Sequence, residues 1–178
     1  MSDPRIDLMN RTIRDVPDFP KPGIMFKDIT PMLAHPDSME ACLSLFEERC
    51  APMGAESIVG LESRGFIFGA ALAARLRLPF VPARKPGKLP ADKVKVEYAL
   101  EYGTDTLEMH RDAFGGKNAK ALIVDDLIAT GGTAWAAGEL VRSVGATVVG
   151  YAFVIELAFL EGRKRLGDVA VESLLVVS

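Results

Sequence analysis

The stretch Leu122-Ile123-Val124-Asp125-Asp126-Leu127-Ile128-Ala129-Thr130-Gly131-Gly132-Thr133 sets two carboxylates just ahead of a loop of small and hydroxyl-bearing residues. Glycines let backbone N–H groups come close to an anion, and Thr130 and Thr133 add hydroxyl donors. A helix that follows the loop contributes unpaired N–H groups and the positive end of its dipole. Ala129 to Thr133 therefore reads as a phosphate cup. No lysine follows the second glycine, so it is not a Walker A loop, and G-x-G-x-x-G is absent. Asp125 and Asp126 are acceptors. They would repel a phosphate but suit vicinal sugar hydroxyls, so a ribose 5-phosphate satisfies both halves of the stretch. The plainer alternative is an acid pair at a strand end that caps a helix through a glycine loop.

A second charged feature lies upstream. Residues 84–95 hold Arg84, Lys85, Lys88, Lys93 and Lys95 against Asp92 alone, a local charge of +4 in a chain of net charge −3. A basic loop on an acidic body suits one localised anionic ligand rather than broad contact with nucleic acid. A merely solvated loop is the alternative.

These residues need a frame. Ala121 to Val124 is a buried strand ending at Asp125, and a helix from about Thr133 to Val144 stops at Gly145. Ser57–Gly60, Phe80–Ala83, Val148–Ile155 and Leu174–Val177 are further strands, Phe80–Ala83 in an irregular or terminal place because of Pro82. Phe66–Leu76 is an apolar, alanine-rich helix. An earlier helix begins at a capping-box pair, Asp37 and Glu40, and carries a stripe of Met39, Cys42, Leu43, Phe46 and Cys50. Residues 94–102 alternate, with Val94, Val96 and Tyr98 on one side. After Gly103-Thr104-Asp105 the alternation resumes at Leu107 and Met109, which makes a hairpin. The proline-rich first 35 residues read as an irregular segment wrapped on the domain. Strands alternating with helices make an α/β domain with a mainly parallel sheet.

With 178 residues, 49% of them hydrophobic and 25% charged, the chain is long enough for one domain with a full core. Disordered and disulfide-framework classes are excluded. No apolar run reaches spanning length and no signal-peptide pattern opens the chain, so a cytoplasmic protein without membrane contact is expected. Cys42 and Cys50, eight apart on one helix face, read as core thiols rather than metal ligands. His35 and His110 match no constellation and read as structural or solvent-facing.

The segment Val124–Thr133 resembles the phosphoribosyl pyrophosphate signature of the type I phosphoribosyltransferases. Alone it would also fit orotate, hypoxanthine–guanine and xanthine enzymes, and regulators that share the fold. Three more segments narrow the resemblance to the adenine phosphoribosyltransferase family. Asp18–Ile29 looks like that family's base-binding segment, Glu62–Gly69 like its pyrophosphate loop, and Arg84–Pro90 through Leu100–Gly103 like its flexible catalytic loop. The segments run in the family's order over nearly the whole chain.

The resemblance implies a type I phosphoribosyltransferase fold in one domain, residues 1–178. Residues 1–35 would form a hood and residues 84–110 a flexible loop that is mobile without ligand. It implies transfer of ribose 5-phosphate from phosphoribosyl pyrophosphate to adenine, giving AMP and pyrophosphate in purine salvage. Mg²⁺ would be held mainly through the substrate's diphosphate, and the enzyme would be a homodimer. Asp125 and Asp126 would take the ribose, and Ala129, Thr130, Gly131, Gly132 and Thr133 the 5′-phosphate. Glu62, Ser63, Arg64, Gly65, Arg84, Lys85 and Lys88 would serve pyrophosphate, with Arg84 reaching the neighbouring subunit. Phe26 would stack on adenine, with the Met25 and Lys27 backbones at its edge and Leu127 or Ile128 on its other face. Lys27 stands where arginine is commoner, a change that a backbone contact tolerates. Glu101 would manage the proton at N7 of the base, and the Glu62–Ser63 peptide would be cis. A ligand-sensing regulator on this fold, or an enzyme for another purine, are the rival readings.

Overall fold

Proline organises the start of the chain rather than loosening it. The computed structural model describes residues 3–99 and 103–178, and they divide into two compact units, Met1–Phe46 and Glu47–Ser178. Asp3 caps helix α1 (Pro4–Thr12), its carboxylate accepting from Arg5 N–H at 2.9 Å, with Pro4 where a helix has an N–H to spare. Strands β1 (Arg14–Pro17) and β2 (Met25–Asp28) form an antiparallel ribbon, and the turn between them holds a cis Phe19–Pro20 peptide. Pro31 sits in the first turn of α2 (Thr30–Leu33). Met9, Ile29 and Met32 are buried. The expected irregular segment is therefore two helices and a ribbon, because most of its prolines occupy helix starts and a strand end.

Helix α3 (Pro36–Cys50) carries the chain from the first unit into the second. It starts one residue before the expected Asp37. The imidazole Nδ1 of His35 accepts from Ser38 N–H at 3.2 Å, and the His35 carbonyl accepts from Ser38 and Met39. His35 thus does the capping that the Asp37–Glu40 pair was expected to do. Cys42 and Cys50 are free and buried, as their spacing predicts, and burial pushes the Cys50 thiol up to about 12.

The second unit continues with β3 (Ser57–Leu61), α4 (Gly65–Leu76), β4 (Phe80–Ala83), β5 (Lys93–Ala99) and β6 (Thr104–His110). Then follow β7 (Lys120–Ile128), α5 (Gly132–Ser143), β8 (Thr147–Leu157), the 3-10 turn Gly162–Leu166 and β9 (Ala170–Val177). Its main sheet, among the described residues, has the order β4-β3-β7-β8-β9 with every neighbouring pair parallel. Pro82 is tolerated because β4 is an edge strand.

Alternation along the strands divides the core. Val59, Ala121, Ile123 and Phe153 meet Ala136, Ala137, Leu140 and Val141 of α5 in one cluster. The opposite face carries α4, whose Gly69 lies so close that an added Cβ would stand 3.3 Å from Gly60 Cα. After α5, Gly145 takes φ 81° and Ala146 N–H returns to the Val141 carbonyl, the glycine stop read from the sequence.

The hairpin departs from expectation. β5 and β6 pair from Lys93↔His110 to Ala99↔Thr104. The hairpin, expected in a loop that is mobile without ligand, has an apolar side that joins the α5 cluster: Tyr98, Leu107 and Met109 are buried, and Val94 and Val96 pack against them. Arg84 and Glu108 exchange backbone hydrogen bonds of 2.9 and 2.7 Å, tying the hairpin to the end of β4. Cations of the basic stretch find carboxylate partners. Arg84 is paired with Glu62, Lys85 with Asp105, and Lys93 with Glu108. The described part of the hairpin is thus an integral piece of the core, because helix α5, about thirty residues further along the chain, supplies the face it needs.

Candidate active site

In this sheet β3 is followed by an excursion to β4 on one side and by β7 on the other. The order reverses there, and ligands of open α/β sheets bind at such a point, outside the carboxyl ends of the strands. A cavity of about 350 Å³ opens at that place. Its wall is Glu62, Ser63, Arg64, Lys85 and the run Asp125 to Ala134.

Strand β7 runs further than expected, through both acids to Ile128, which pairs with Glu156. Both acids still line the cavity. Asp126 N–H donates to Asp125 Oδ1 at 2.8 Å. Burial first, and the neighbouring Asp126 carboxylate second, raise the Asp125 carboxyl well above its ordinary value. Asp126 is buried and accepts from Arg64 Nε at 2.5 Å. Arg64 stands just before α4, and Gly65 behind it admits no side chain: a Cβ would lie 2.7 Å from the Val124 carbonyl. That glycine sets α4 against the acid pair.

The cup itself is Ala129 to Thr133, with Gly131 at φ 77° as the residue before α5. Its back is held by Gly162. A Cβ there would stand 2.1 Å from the Ala129 carbonyl and 2.8 Å from Gly131 N, and one on Gly131 would meet the Gly162 carbonyl at 2.3 Å. Arg163 pins the turn that carries Gly162, donating to Glu156 at 3.1 and 2.6 Å and to the Val171 carbonyl at 2.8 Å. Nothing near the cup in sequence announces Gly162.

On the basic side, Glu62 accepts from Lys85 N–H at 2.9 Å and from both Arg84 Nε at 3.2 Å and Nη2 at 3.3 Å. Burial would raise the Glu62 carboxyl, but these bonds and the Lys88 charge outweigh it and lower it. Lys85 Nζ donates to Asp105 and to Tyr98 Oη. The Glu62–Ser63 peptide is cis, as the resemblance implies.

Of the residues expected in the site, Glu62, Ser63, Arg64, Lys85, Asp125 to Ile128 and the cup converge on the cavity. Gly65, Arg84 and Lys88 stand behind this wall, Arg84 donating to the Lys88 carbonyl at 3.3 Å. Met25, Phe26 and Lys27 belong to the ribbon of the first unit. There the Phe26 ring lies edge-on to Phe19, and Lys27 Nζ pairs with Asp15 at 2.6 Å. Glu101 lies outside the described residues. Tyr98, Asp105 and Gly162, which support the site, and Ala134, which lines it, were not read as functional residues from the sequence.

Among the described residues no group of three His, Cys, Asp or Glu could hold a metal ion. A hard cation that keeps its waters and takes one or two carboxylates plus phosphates fits the oxygen donors of this wall. Among the described residues, no helix is long and apolar enough to cross a membrane.

The chain matches the phosphoribosyl transferase domain over residues 34–175. It is 58% identical over 162 residues to the adenine phosphoribosyltransferase of Sorangium cellulosum, covering 89% of this chain and 80% of that protein. The crystal structure of adenine phosphoribosyltransferase from Thermoanaerobacter pseudethanolicus superposes with a TM-score of 0.93 at 46% identity, covering 97% of this chain and 99% of that one. The Saccharomyces cerevisiae enzyme, complexed with an imino-altritol bisphosphate and adenine, gives 0.89 at 40% identity, covering 96% and 98%.

Proposed function

The chain belongs to the adenine phosphoribosyltransferase family, and from that premise we propose that it transfers the 5-phosphoribosyl group of phosphoribosyl pyrophosphate to adenine. The products are AMP and pyrophosphate, as in purine salvage. One observation carries the reading. A single cavity at the switch point of the sheet brings together a phosphate cup, an acid pair and two cations, Arg64 and Lys85. Those are the partners of a 5′-phosphate, of ribose hydroxyls and of a diphosphate.

In the reaction the bond from ribose C1 to pyrophosphate breaks, its electron pair leaving with pyrophosphate, and a bond from C1 to the base nitrogen forms. Positive charge grows on the ribose ring and negative charge on the leaving group, so both must be met by fixed charge. The Asp125–Asp126 pair faces the first, and Arg64 and Lys85, with Arg84 and Lys88 behind them, face the second. Mg²⁺, bound mainly through the diphosphate, supplies further neutralisation of the leaving group. Asp126 and Glu62 now hold Arg64 and Arg84, so an incoming diphosphate competes for guanidinium groups already oriented by carboxylates. Phe26, the Met25 and Lys27 backbones, Leu127 and Ile128 are the proposed base contacts, and Glu101 the group that manages the N7 proton. We further infer one domain acting in the cytoplasm as a homodimer. Exposed Phe159, Leu160 and Val176 support an apolar contact.

Incubating the chain with phosphoribosyl pyrophosphate, Mg²⁺ and each purine base tests this. AMP is the expected nucleotide, with guanine and hypoxanthine far poorer. Equal turnover of hypoxanthine would end the adenine assignment. In the same assay Glu101→Gln is expected to cut turnover by about 10²–10⁴-fold while changing phosphoribosyl pyrophosphate affinity little. Full turnover in that variant would remove Glu101 from the chemistry.

A further inference from the structure

One phenol oxygen joins the two ends of the cavity. Tyr98 is 3% exposed, and its Oη lies 3.2 Å from Lys85 Nζ, Asp105 Oδ2 and Thr133 Oγ1 alike. Lys85 Nζ is bonded to Asp105 as well. The directions follow from the groups. A carboxylate only accepts, so Tyr98 O–H donates to Asp105. An ammonium only donates, so Tyr98 Oη accepts from Lys85. Its other lone pair accepts from Thr133 O–H, and the phenol is then saturated. Lys85 has three N–H donors; two are spoken for, which leaves one for a ligand in the cavity that Lys85 lines.

We propose that Asp105 and Tyr98 are positioning residues: Asp105 holds the Lys85 ammonium ready for the diphosphate, and Tyr98 ties that ammonium to the Thr133 hydroxyl of the phosphate cup. The inference rests on the reading of Lys85 as a diphosphate ligand. A free lysine side chain surrenders much of its rotamer freedom when it is fixed on a ligand. Here that ordering is done at folding, so less is lost on binding. The substrate carries its two anionic groups at a separation fixed by the ribose. A shared phenol oxygen sets the matching separation in the protein. The hairpin position of Asp105, two residues past the segment that resembles the catalytic loop, gave no hint of this from sequence.

Calorimetry with Mg²⁺–pyrophosphate and with AMP, on the full chain, tests it. Asp105→Ala is expected to weaken pyrophosphate binding about three- to tenfold and to leave AMP within about twofold. Asp105→Glu restores pyrophosphate binding. Tyr98→Phe, lacking the shared oxygen, weakens both ligands. In a Lys85→Met background Asp105→Ala has no further effect, since it acts through that ammonium. A loss that persists undiminished in the Lys85→Met background, equal losses for pyrophosphate and AMP in Asp105→Ala, or unchanged or tighter pyrophosphate binding would overturn the positioning role. Failure of the unaltered chain to bind pyrophosphate would instead overturn the underlying reading of Lys85, and the proposal with it.

Discussion

Asp125 is held in a setting that disfavours its own charge, packed in beside Asp126. Its folded-state pKa is raised above the unfolded value, so its contribution to stability is full at low pH and is lost as pH rises through the folded-state pKa. Asn keeps an oxygen for the Asp126 N–H and carries no charge. Asp125→Asn is therefore expected to melt higher than the parent at about pH 8, by about 2–4 °C for each kcal/mol relieved, with the difference shrinking towards about pH 5. By the proposed ribose role the same change weakens AMP binding about tenfold, because a charged acceptor for hydroxyls becomes a neutral one. Scanning calorimetry at the two pH values, with AMP titration, reads both. A variant that melts lower at pH 8 would show that the Asp125 charge is not what the site holds at a cost. The acid pair itself was legible from Asp125 and Asp126 beside a glycine loop; that Arg64 would be paired with one of them was not.

The proposed phosphate cup depends on an element its own sequence does not contain. The turn Gly162–Leu166 presses a bare backbone against Ala129 and Gly131, leaving no room for a methyl group. Gly162→Ala is expected to displace the cup, costing about 1–3 kcal/mol as overpacking and weakening AMP binding about tenfold or more. Thermal melting and AMP titration check it. Unchanged affinity would mean that the cup moves freely of its support. The hairpin shows the opposite legibility. Its strands were plain from the alternation of Val94, Val96 and Tyr98, yet the destination of that face was not. Alternation says that one side is apolar, and only helix α5 packed against it says that the side is buried.

Across the molecule, one helix links the two units, and each unit holds one thiol. Cys42 falls in the first and Cys50 in the second, both on α3 and both almost wholly buried. A disulfide exchange reagent can reach a buried thiol only when its surroundings open. The native chain is expected to react at neither cysteine, and both are expected to become reactive together in denaturant, at one midpoint. Mass spectrometry of partly labelled protein would separate the two. Cys42 labelling ahead of Cys50 would break the proposal that the chain is one folding domain.

By itself the sequence determined the local pieces: the buried strand before the acids, the glycine loop and the helix after it, the glycine stop at 145, the hairpin and the core thiols. Each depends on residues a few positions apart, where side-chain period and backbone freedom decide the outcome. The tertiary structure decided what those pieces meet. Arg64 reaches Asp126 across 62 residues of chain, and Lys85 reaches Asp105 across 20. Gly162 closes on Ala129 from beyond β8. Parallel strands are joined by crossovers, so their neighbours are set by strand order and not by proximity in sequence. The placing of β3 beside β7, which opens the cavity, follows from how the whole sheet buries its two faces.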